Sequence, residues 1–404
     1  MTATAGGGRL DHLDALRGFA LLGIALMNVE YFGAPLSQMG GGVQPGQGVL
    51  DAAADWLVYL LVQGKFWTLF SLLFGMGFVL MLERARTAGT RFAPVYLRRI
   101  AGLLVIGLAH AWFIWAGDIL VSYALGALGL LLFFREAGTA TLGVMGLVLW
   151  SVWATLMLAG GGLLVLAEQA GPEVAGGVLE SLEGMRLQEI AAYAHGSWLE
   201  ATAQRVHYWT AMAGNLVVML PGLLGTFLVG GWMLRSGLAA DPAAHRPALL
   251  RLVAIGLAGG LVLTLASLAV DPVPGQAASV GTGMVAAVLH MAAGLPAGLA
   301  YAGIVLLLAA RPRSLLGVLA PAGRMALSNY LLQSLVGTWI FYGHGLGMWG
   351  GVGRAGQVLG VVVFFTLQVL ASRWWLARFR QGPVEWLWRA FTWWRLPPLR
   401  QVPA

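Results

Sequence analysis

The sequence predicts an all-α, polytopic membrane protein with about ten transmembrane helices and both termini in the cytoplasm. Three observations support this prediction: the composition is too apolar for a soluble chain, long apolar runs recur throughout, and basic and acidic connections alternate between them. Of the 404 residues, 59% are hydrophobic and 10% are charged, whereas a soluble globular chain is about 25% charged. No stretch of soluble composition is long enough to form a domain, so residues 1–404 are predicted to form a single transmembrane domain.

Ten apolar runs approach the length of roughly 20 helical residues that a hydrocarbon layer requires. A helix satisfies its own backbone hydrogen bonds in lipid, so these runs are predicted to be helices. They lie near residues 15–32, 66–82, 97–116, 119–134, 142–166, 209–234, 252–270, 284–310, 325–342 and 358–375. Between the fifth and sixth runs, residues 170–206 are predicted to form a periplasmic loop. Residues 381–404 combine tryptophans with arginines and are predicted to form a cytoplasmic interfacial tail.

The connections between these runs carry charges that set the orientation. If the N-terminus is cytoplasmic, most basic residues fall on the cytoplasmic side, as the positive-inside rule expects. The basic residues that fall inside before the last span are Arg84, Arg86, Arg91, Arg98, Arg99, Arg135, Arg235, Arg246, Arg251, Arg311, Arg313 and Arg324. The opposite connections are acidic, most of all the 170–206 loop. This bias predicts a multi-pass protein with both Met1 and Ala404 inside.

Several classes of function are excluded or disfavoured by composition. The chain has no cysteine, which excludes disulfides, thiolate metal sites and cysteine nucleophiles, and we predict no metal site. The net charge of +7 is explained by topology, so no nucleic-acid partner is predicted. Two G-x-G-x-x-G matches near Gly345 and Gly351 follow a membrane helix rather than a strand, so they do not indicate dinucleotide binding. No Walker A sequence is present, which argues against ATP-driven transport by this chain alone.

Ionisable residues inside a bilayer cost about 2.5 kcal/mol or more, which makes each a functional candidate. Asp14 and Arg17 lie three residues apart at the cytoplasmic end of the first run and can pair on one helix face. With Arg98 and Arg99, Arg17 could hold a phosphorylated cofactor at the inner membrane edge. The alternative, which we favour from sequence, is a topology anchor with a paired acid.

A second group of polar residues could bind a substrate. Asn28 lies near the outer end of the first run, and Lys65 is the only lysine in the chain. Asn329 and Gln333 lie one turn apart in the ninth run. Asn28, Asn329 and Gln333 can equally form interhelical hydrogen bonds, and for Lys65 we favour a side chain that snorkels to the surface.

His110 and Asp118 are the candidates for chemistry. A general base and a carboxylate that orients it are what acyl transfer to a hydroxyl or amine requires. Eight residues of continuous helix would separate their backbones by about 12 Å, so contact between them is not assured by spacing. Asp118 could instead cap the helix that follows it.

Four stretches together resemble the YeiB-like family of bacterial inner-membrane proteins, in order and spacing over almost the full length. They are RLDHLDALRGFALLGIALMN, GKFWTLFSLLFGMGF, RRIAGLLVIGLAHAWFIWAGDIL and, near the end, GRMALSNYLLQS with GPVEWLW. This resemblance implies a multi-pass protein of the bacterial inner membrane.

The opening LDALRGFALLGI followed by Asn28 also resembles the heparan-α-glucosaminide N-acetyltransferase family. Those proteins pass an acyl group from cytoplasmic acyl-CoA to an acceptor on the far side. By this likeness Asp14 and Arg17 belong to the opening motif, and Asn28 lies toward the acceptor chamber. The relatives also carry a catalytic histidine shortly after the first helix, and residues 30–66 here contain none, so His110 or Asp118 would have to act instead.

Two functions of different classes follow. The first is a membrane acyltransferase that uses acyl-CoA as a co-substrate, has no tightly bound cofactor, and acylates a small-molecule or glycan acceptor at the periplasmic side or in the membrane. The second is a transporter or permease for a small polar solute, with the intramembrane polar residues along its path. Membrane lipids are expected partners. The small-residue surface near Gly75 and Gly77 suits a homodimer and internal packing equally well.

Overall fold

The computed structural model describes residues 10–40, 42–171, 173–311 and 314–401, without the side chains of 173–175. The predicted positions of Met1, Arg313 and Ala404 lie outside the described residues. The described residues form fifteen α-helices: α1 (Asp11–Phe32), α2 (Val49–Leu61), α3 (Lys65–Thr87), α4 (Phe92–Phe113), α5 (Leu120–Phe133), α6 (Thr139–Ala170), α7 (Glu173–Ile190), α8 (Trp198–Arg235), α9 (Arg246–Val270), α10 (Val280–Ala292), α11 (Gly294–Ala309), α12 (Ala320–Arg324), α13 (Ala326–Phe341), α14 (Arg354–Leu376) and α15 (Pro383–Trp393).

The all-α, multi-pass fold predicted from composition is confirmed. Within the described ranges, eight helical segments are long and apolar enough to cross a membrane, or nine if Leu315–Arg324 and Ala326–Phe341, which meet at 80°, count as one span. Leu120–Phe133 is a shorter apolar helix of 14 residues. Each of the ten predicted runs overlaps one of these helices. The sequence prediction missed α2, which continues into α3 through Gly64 at a φ of +74°.

The outermost helices expose apolar side chains, as lipid contact requires. Leu156 on α6 is 61% exposed, Ile255 on α9 is 71% exposed and Leu359 on α14 is 64% exposed. Inside them, α1, α3, α5 and α8 supply most of one large buried core. A smaller core of aromatic residues closes the predicted outer end, where Phe32, Trp115 and Tyr342 are buried.

Glycine allows the central helices to approach at backbone distance. A Cβ on Gly75 would lie 1.8 Å from the carbonyl oxygen of Phe227, and one on Gly230 would lie 2.0 Å from that of Leu72. These two positions therefore hold α3 against α8, and the surface at Gly75 is used for internal packing. Gly77, two residues further along α3, faces open space instead.

Candidate active site

A cavity of about 440 Å³ lies between α1, α3, α4, α5, α12, α13 and α15. Its polar lining is concentrated where these helices carry arginines, at the predicted cytoplasmic edge. The rest of the lining is aromatic and aliphatic. The lining residues are Asp14, Arg17, Phe70, Leu73, Phe74, Gly77, Phe78, Arg84, Tyr96, Arg99, Leu103, Ile119, Leu120, Tyr123, Gly323, Arg324, Ala326, Leu327, Tyr330, Glu385, Trp388 and Arg389.

One face of α3 lines this cavity along its length. Phe70, Phe74, Gly77 and Arg84 recur at helical spacing, so they share a face. Phe70 and Arg84 are separated by about 21 Å of helix. The cavity therefore extends from an arginine rim at the membrane edge to an aromatic inner end near the middle of the bundle.

The rim is strongly basic. Five arginines line it against two carboxylates, Asp14 and Glu385. Asp14 is paired with Arg17, as its spacing predicted. Arg84 and Arg389 are exposed and pair with no carboxylate among the residues that the structure describes. A rim of this kind attracts a ligand that carries phosphate, because guanidinium groups bind phosphate oxygens bidentately.

Helix α15 closes one side of the rim. The guanidinium of Arg99 lies 3.6 Å from the ring centroid of Trp388, and the Trp388 indole donates a hydrogen bond to the Arg99 carbonyl at 2.8 Å. Glu385 accepts hydrogen bonds from the backbone and hydroxyl of Ser328. Burial raises the pKa of the Glu385 carboxyl, and these hydrogen bonds oppose the increase.

Arg98 is separate from this rim, although the sequence grouped it with Arg99. Its Nε donates to the carbonyl of Thr392 at 2.8 Å, so it fastens α15 to α4 and does not line the cavity. Of the four residues predicted to hold a phosphorylated cofactor, the structure thus places Asp14, Arg17 and Arg99 on the cavity.

His110 and Asp118 form a buried pair behind the inner end of the cavity. His110 Nδ1 lies 2.7 Å from Asp118 Oδ2, and both side chains are at most 1% exposed. The helical separation assumed from sequence does not apply, because α4 ends at Phe113 and the chain turns before α5. Asp118 also caps α5, since its Oδ1 accepts from the Val121 amide at 2.8 Å. Asp118 therefore combines the two roles that the sequence left as alternatives.

The free nitrogen of His110 is the group available for chemistry. In the tautomer in which His110 Nδ1 donates to Asp118, the neutral imidazole keeps its lone pair on Nε2. Nε2 is buried and has no hydrogen-bond partner in the described part of the chain. The ring centroid of His110 lies 5.1 Å from that of Tyr330, and Tyr330 lines the cavity. The side chain of Tyr330 thus separates the His110–Asp118 pair from the cavity.

Asn329 and Gln333 do not face the cavity. Asn329 Nδ2 donates to Ser372 at 3.0 Å and to the Ala322 carbonyl at 3.2 Å. Gln333 Nε2 donates to Gln368 at 2.9 Å, and Gln368 in turn donates to the Asn329 carbonyl at 3.0 Å. These contacts join α13 to α14 and, through Ala322, to α12, so the polar stripe serves interhelical bonding in this structure.

Asn28 and Lys65 also lie away from the cavity. Asn28 is 4% exposed near the end of α1. Lys65 is 2% exposed, and its Nζ contacts His290 Nε2 at 3.1 Å and the Tyr59 carbonyl at 3.4 Å. The prediction that Lys65 reaches the surface is wrong, because α2 and the junction of α10 with α11 cover it.

Several functional candidates were missed in the sequence. Tyr330 was not among the predicted site residues, although it lies next to Asn329 in the same polar stretch. The aromatic face of α3 shows the spacing i, i+4, i+8 in Phe70, Phe74 and Phe78, and that signal could have been found. The outer end also holds a buried ion cluster in which Arg354 contacts Glu30 at 3.0 Å and Asp55 at 3.3 Å.

The fold and this cavity define a polytopic α-helical membrane protein with an arginine-rimmed, apolar-walled pocket at one membrane edge. Residues 233–395 match the family described as "Protein of unknown function (DUF418)". The chain is 34% identical to "Uncharacterized protein YxaH" of Bacillus subtilis over 97% of this chain and 96% of that protein. It is 31% identical to "Uncharacterized protein YeiB" of Escherichia coli over 94% and 95%, respectively. The chain belongs to the YeiB-like family. No solved structure matches it.

Proposed function

We propose that this protein is an acyltransferase of the bacterial cytoplasmic membrane, which takes an acyl group from a cytoplasmic acyl-CoA and passes it to an acceptor at the periplasmic side or in the membrane. One observation carries the proposal: a cavity with an arginine rim and an aromatic interior ends at a side chain in contact with the His110–Asp118 pair. The phosphates of the donor suit the rim, and its thioester arm suits the apolar interior.

The chemistry follows from the His110–Asp118 pair. The acceptor hydroxyl or amine attacks the thioester carbonyl carbon, and its proton passes to His110 Nε2. Asp118 holds the other ring nitrogen and stabilises the imidazolium that forms. The carbon–sulfur bond then breaks, and the thiolate of CoA takes the proton from His110. The acceptor approaches from the outer side, where the edge-to-face rings of Phe32 and Trp115, with centroids 4.7 Å apart, must move to admit it.

Transport of a small polar solute is the second candidate, and one observation favours it. The helices on either side of Met325 meet at 80°, and this break borders the cavity at Arg324 and Ala326. Transporters commonly place broken helices at their binding sites. Uptake of a solute into proteoliposomes without any thioester would support this function over acyl transfer.

The test begins with donor binding by the purified full-length protein in detergent. Calorimetry with acetyl-, octanoyl- and palmitoyl-CoA is expected to give saturable heat for at least one donor. The double variant Arg84→Gln, Arg389→Gln removes two exposed rim charges and is expected to weaken binding about tenfold, or roughly 1.4 kcal/mol. The matched control is Arg246→Gln, Arg251→Gln, which removes two exposed charges from α9 and should leave affinity unchanged. Absence of binding to all three donors would overturn the proposal.

Turnover can be read without interference because the chain contains no cysteine. Every thiol that appears during incubation with acyl-CoA is therefore CoA released from the donor. Hydroxylamine serves as a surrogate acceptor, since it accepts acyl groups to give hydroxamates. Hydroxamate formation above the rate without protein supports acyl transfer, and binding without any hydroxamate or CoA release argues for a transport or storage function instead.

A further inference from the structure

The cavity wall contains a tyrosine, Tyr330, whose hydroxyl group is not used in packing. Tyr330 is 3% exposed, it lines the inner end of the cavity, and its hydroxyl has no hydrogen-bond partner among the residues described. A buried tyrosine hydroxyl usually finds a partner. Tyr123, which lines the same cavity, follows that rule: its hydroxyl bonds with Ser71 Oγ at 2.7 Å and with the Trp67 carbonyl at 3.3 Å. Tyr96, which also lines the cavity, does not follow it within the described residues, but of these three tyrosines only Tyr330 has its ring next to that of His110.

The N-terminal end of α5 lies in the same cavity wall as Tyr330. Ile119, which directly precedes the first residue of α5, lines the cavity together with Tyr330. The first amides of a helix have no partner within it, and the helix dipole adds partial positive charge there. Asp118 Oδ1 accepts a hydrogen bond from the Val121 amide, while Ile119 and Leu120 line the cavity. An unpaired side-chain donor and the positive end of a helix therefore lie in the same cavity wall.

We propose that the Tyr330 hydroxyl, beside the N-terminal end of α5, donates a hydrogen bond to the thioester carbonyl oxygen of the donor as that oxygen becomes an oxyanion. This inference rests on the acyltransferase function proposed above and adds a catalytic residue to it. The hydroxyl oxygen lies in a site that excludes water, and hydrogen-bond donors in such sites are the most effective at stabilising a developing charge.

The step balances with the groups named. As the acceptor attacks, the carbonyl π electrons move onto oxygen, and Tyr330 stabilises that oxygen without giving up its proton. His110 Nε2 receives the acceptor proton. When the carbonyl re-forms, the carbon–sulfur bond breaks and the thiolate takes the proton from His110. Tyr330 ends the cycle in the state in which it began.

The test compares Tyr330→Phe with the unchanged protein. This substitution removes the hydroxyl and keeps the ring, so the packing against His110 is retained. Removing one oxyanion donor lowers turnover by about 10²-fold or more in other acyl-transfer enzymes, and we expect a fall of about that size in hydroxamate formation, with the donor dissociation constant within about twofold. Tyr301→Phe is the control, because it removes a tyrosine hydroxyl that does not line the cavity and that donates to the Leu61 carbonyl at 3.0 Å.

The outcomes separate this inference from the function on which it rests. Turnover by the unchanged protein that falls only in Tyr330→Phe supports the oxyanion role. Equal turnover in both proteins overturns the role of Tyr330 and leaves acyl transfer standing. A loss of donor binding in Tyr330→Phe equal to its loss of turnover also overturns the role, since Tyr330 would then be a binding wall. If the unchanged protein turns over no donor, acyl transfer itself fails first, and the role of Tyr330 fails with it.

Discussion

The two faces of α13 use polar side chains in opposite ways. On the face toward α14, Asn329 and Gln333 form a network with Ser372 and Gln368. On the face toward the cavity, Tyr330 keeps an unpaired hydroxyl next to His110, whose Nε2 is also unpaired. The two faces differ by a single residue step along the helix, yet one is bonded to its neighbour helix and the other is not.

This difference indicates where a ligand belongs. Interhelical hydrogen bonds in membranes contribute modestly to stability and explain the network on the α14 face, in which Gln333 Oε1 lacks a partner among the described residues but the Gln333 and Asn329 amide nitrogens are bonded. Unpaired buried donors and acceptors reduce stability, so packing does not explain Tyr330 and His110. In the function that we propose, the donor and the acceptor supply the missing partners. The comparison supports our proposal that the α14 face is structural and that the cavity face takes part in chemistry.

The largest expected effect is a loss of turnover when His110, behind the cavity, is substituted. His110→Gln removes the lone pair that accepts the acceptor proton while keeping a polar side chain near Asp118. Loss of a general base lowers rates by about 10²–10⁴-fold, and hydroxamate formation should fall within that range. His207→Gln is the control, because His207 is exposed on α8. Turnover equal to that of the unchanged protein would remove His110 from the mechanism.

A smaller effect is expected from filling the cavity. Gly77 lines it, and a Cβ there meets no atom within 4 Å, so Gly77→Leu should occupy the donor site without disturbing α3. We expect donor affinity to fall at least tenfold, or about 1.4 kcal/mol, with palmitoyl-CoA affected more than acetyl-CoA.

Gly360→Leu is the matched control for that substitution. Gly360 is exposed on α14, and a Cβ there also meets nothing within 4 Å. The two variants add the same side chain to two helices, one on the cavity and one on the lipid-facing surface. Calorimetry that finds equal affinity in both would show that the donor does not occupy this cavity.

Most of the fold could be predicted from the sequence because lipid imposes a single requirement on length and polarity. Every predicted run from 15–32 to 358–375 overlaps a helix. The errors of the prediction were local. The predicted runs did not include α2, which precedes Lys65 and buries it, because a helix of 13 residues beside a longer one gives no separate length signal. The bend of 80° at Met325 was likewise hidden, since a tolerated break leaves the hydropathy unchanged.

The site could be predicted only in part, because a site depends on which helices are neighbours. The pairing of Asp14 with Arg17 followed from helical spacing alone. The contact of His110 with Asp118 depends on the turn after Phe113, and the separation of Arg98 from Arg99 depends on where α15 docks. Tyr330 and Asn329 are adjacent in sequence, and only packing shows which of them faces the cavity.

The smallest effect is expected on the α14 side, and it concerns stability alone. Gln368→Met keeps the side-chain length but leaves the Gln333 amide without its acceptor and the Asn329 carbonyl without its donor. Interhelical hydrogen bonds of this kind contribute about 0.6 kcal/mol on average, so unfolding by SDS titration in mixed micelles should shift by about that amount per bond. Leu367→Met, at a side chain that is 57% exposed, is the control.

Donor affinity should be unchanged in both variants, because neither side chain lines the cavity. A loss of donor binding in Gln368→Met would show that the two faces of α13 act as one site, and the division between structure and chemistry would then be wrong.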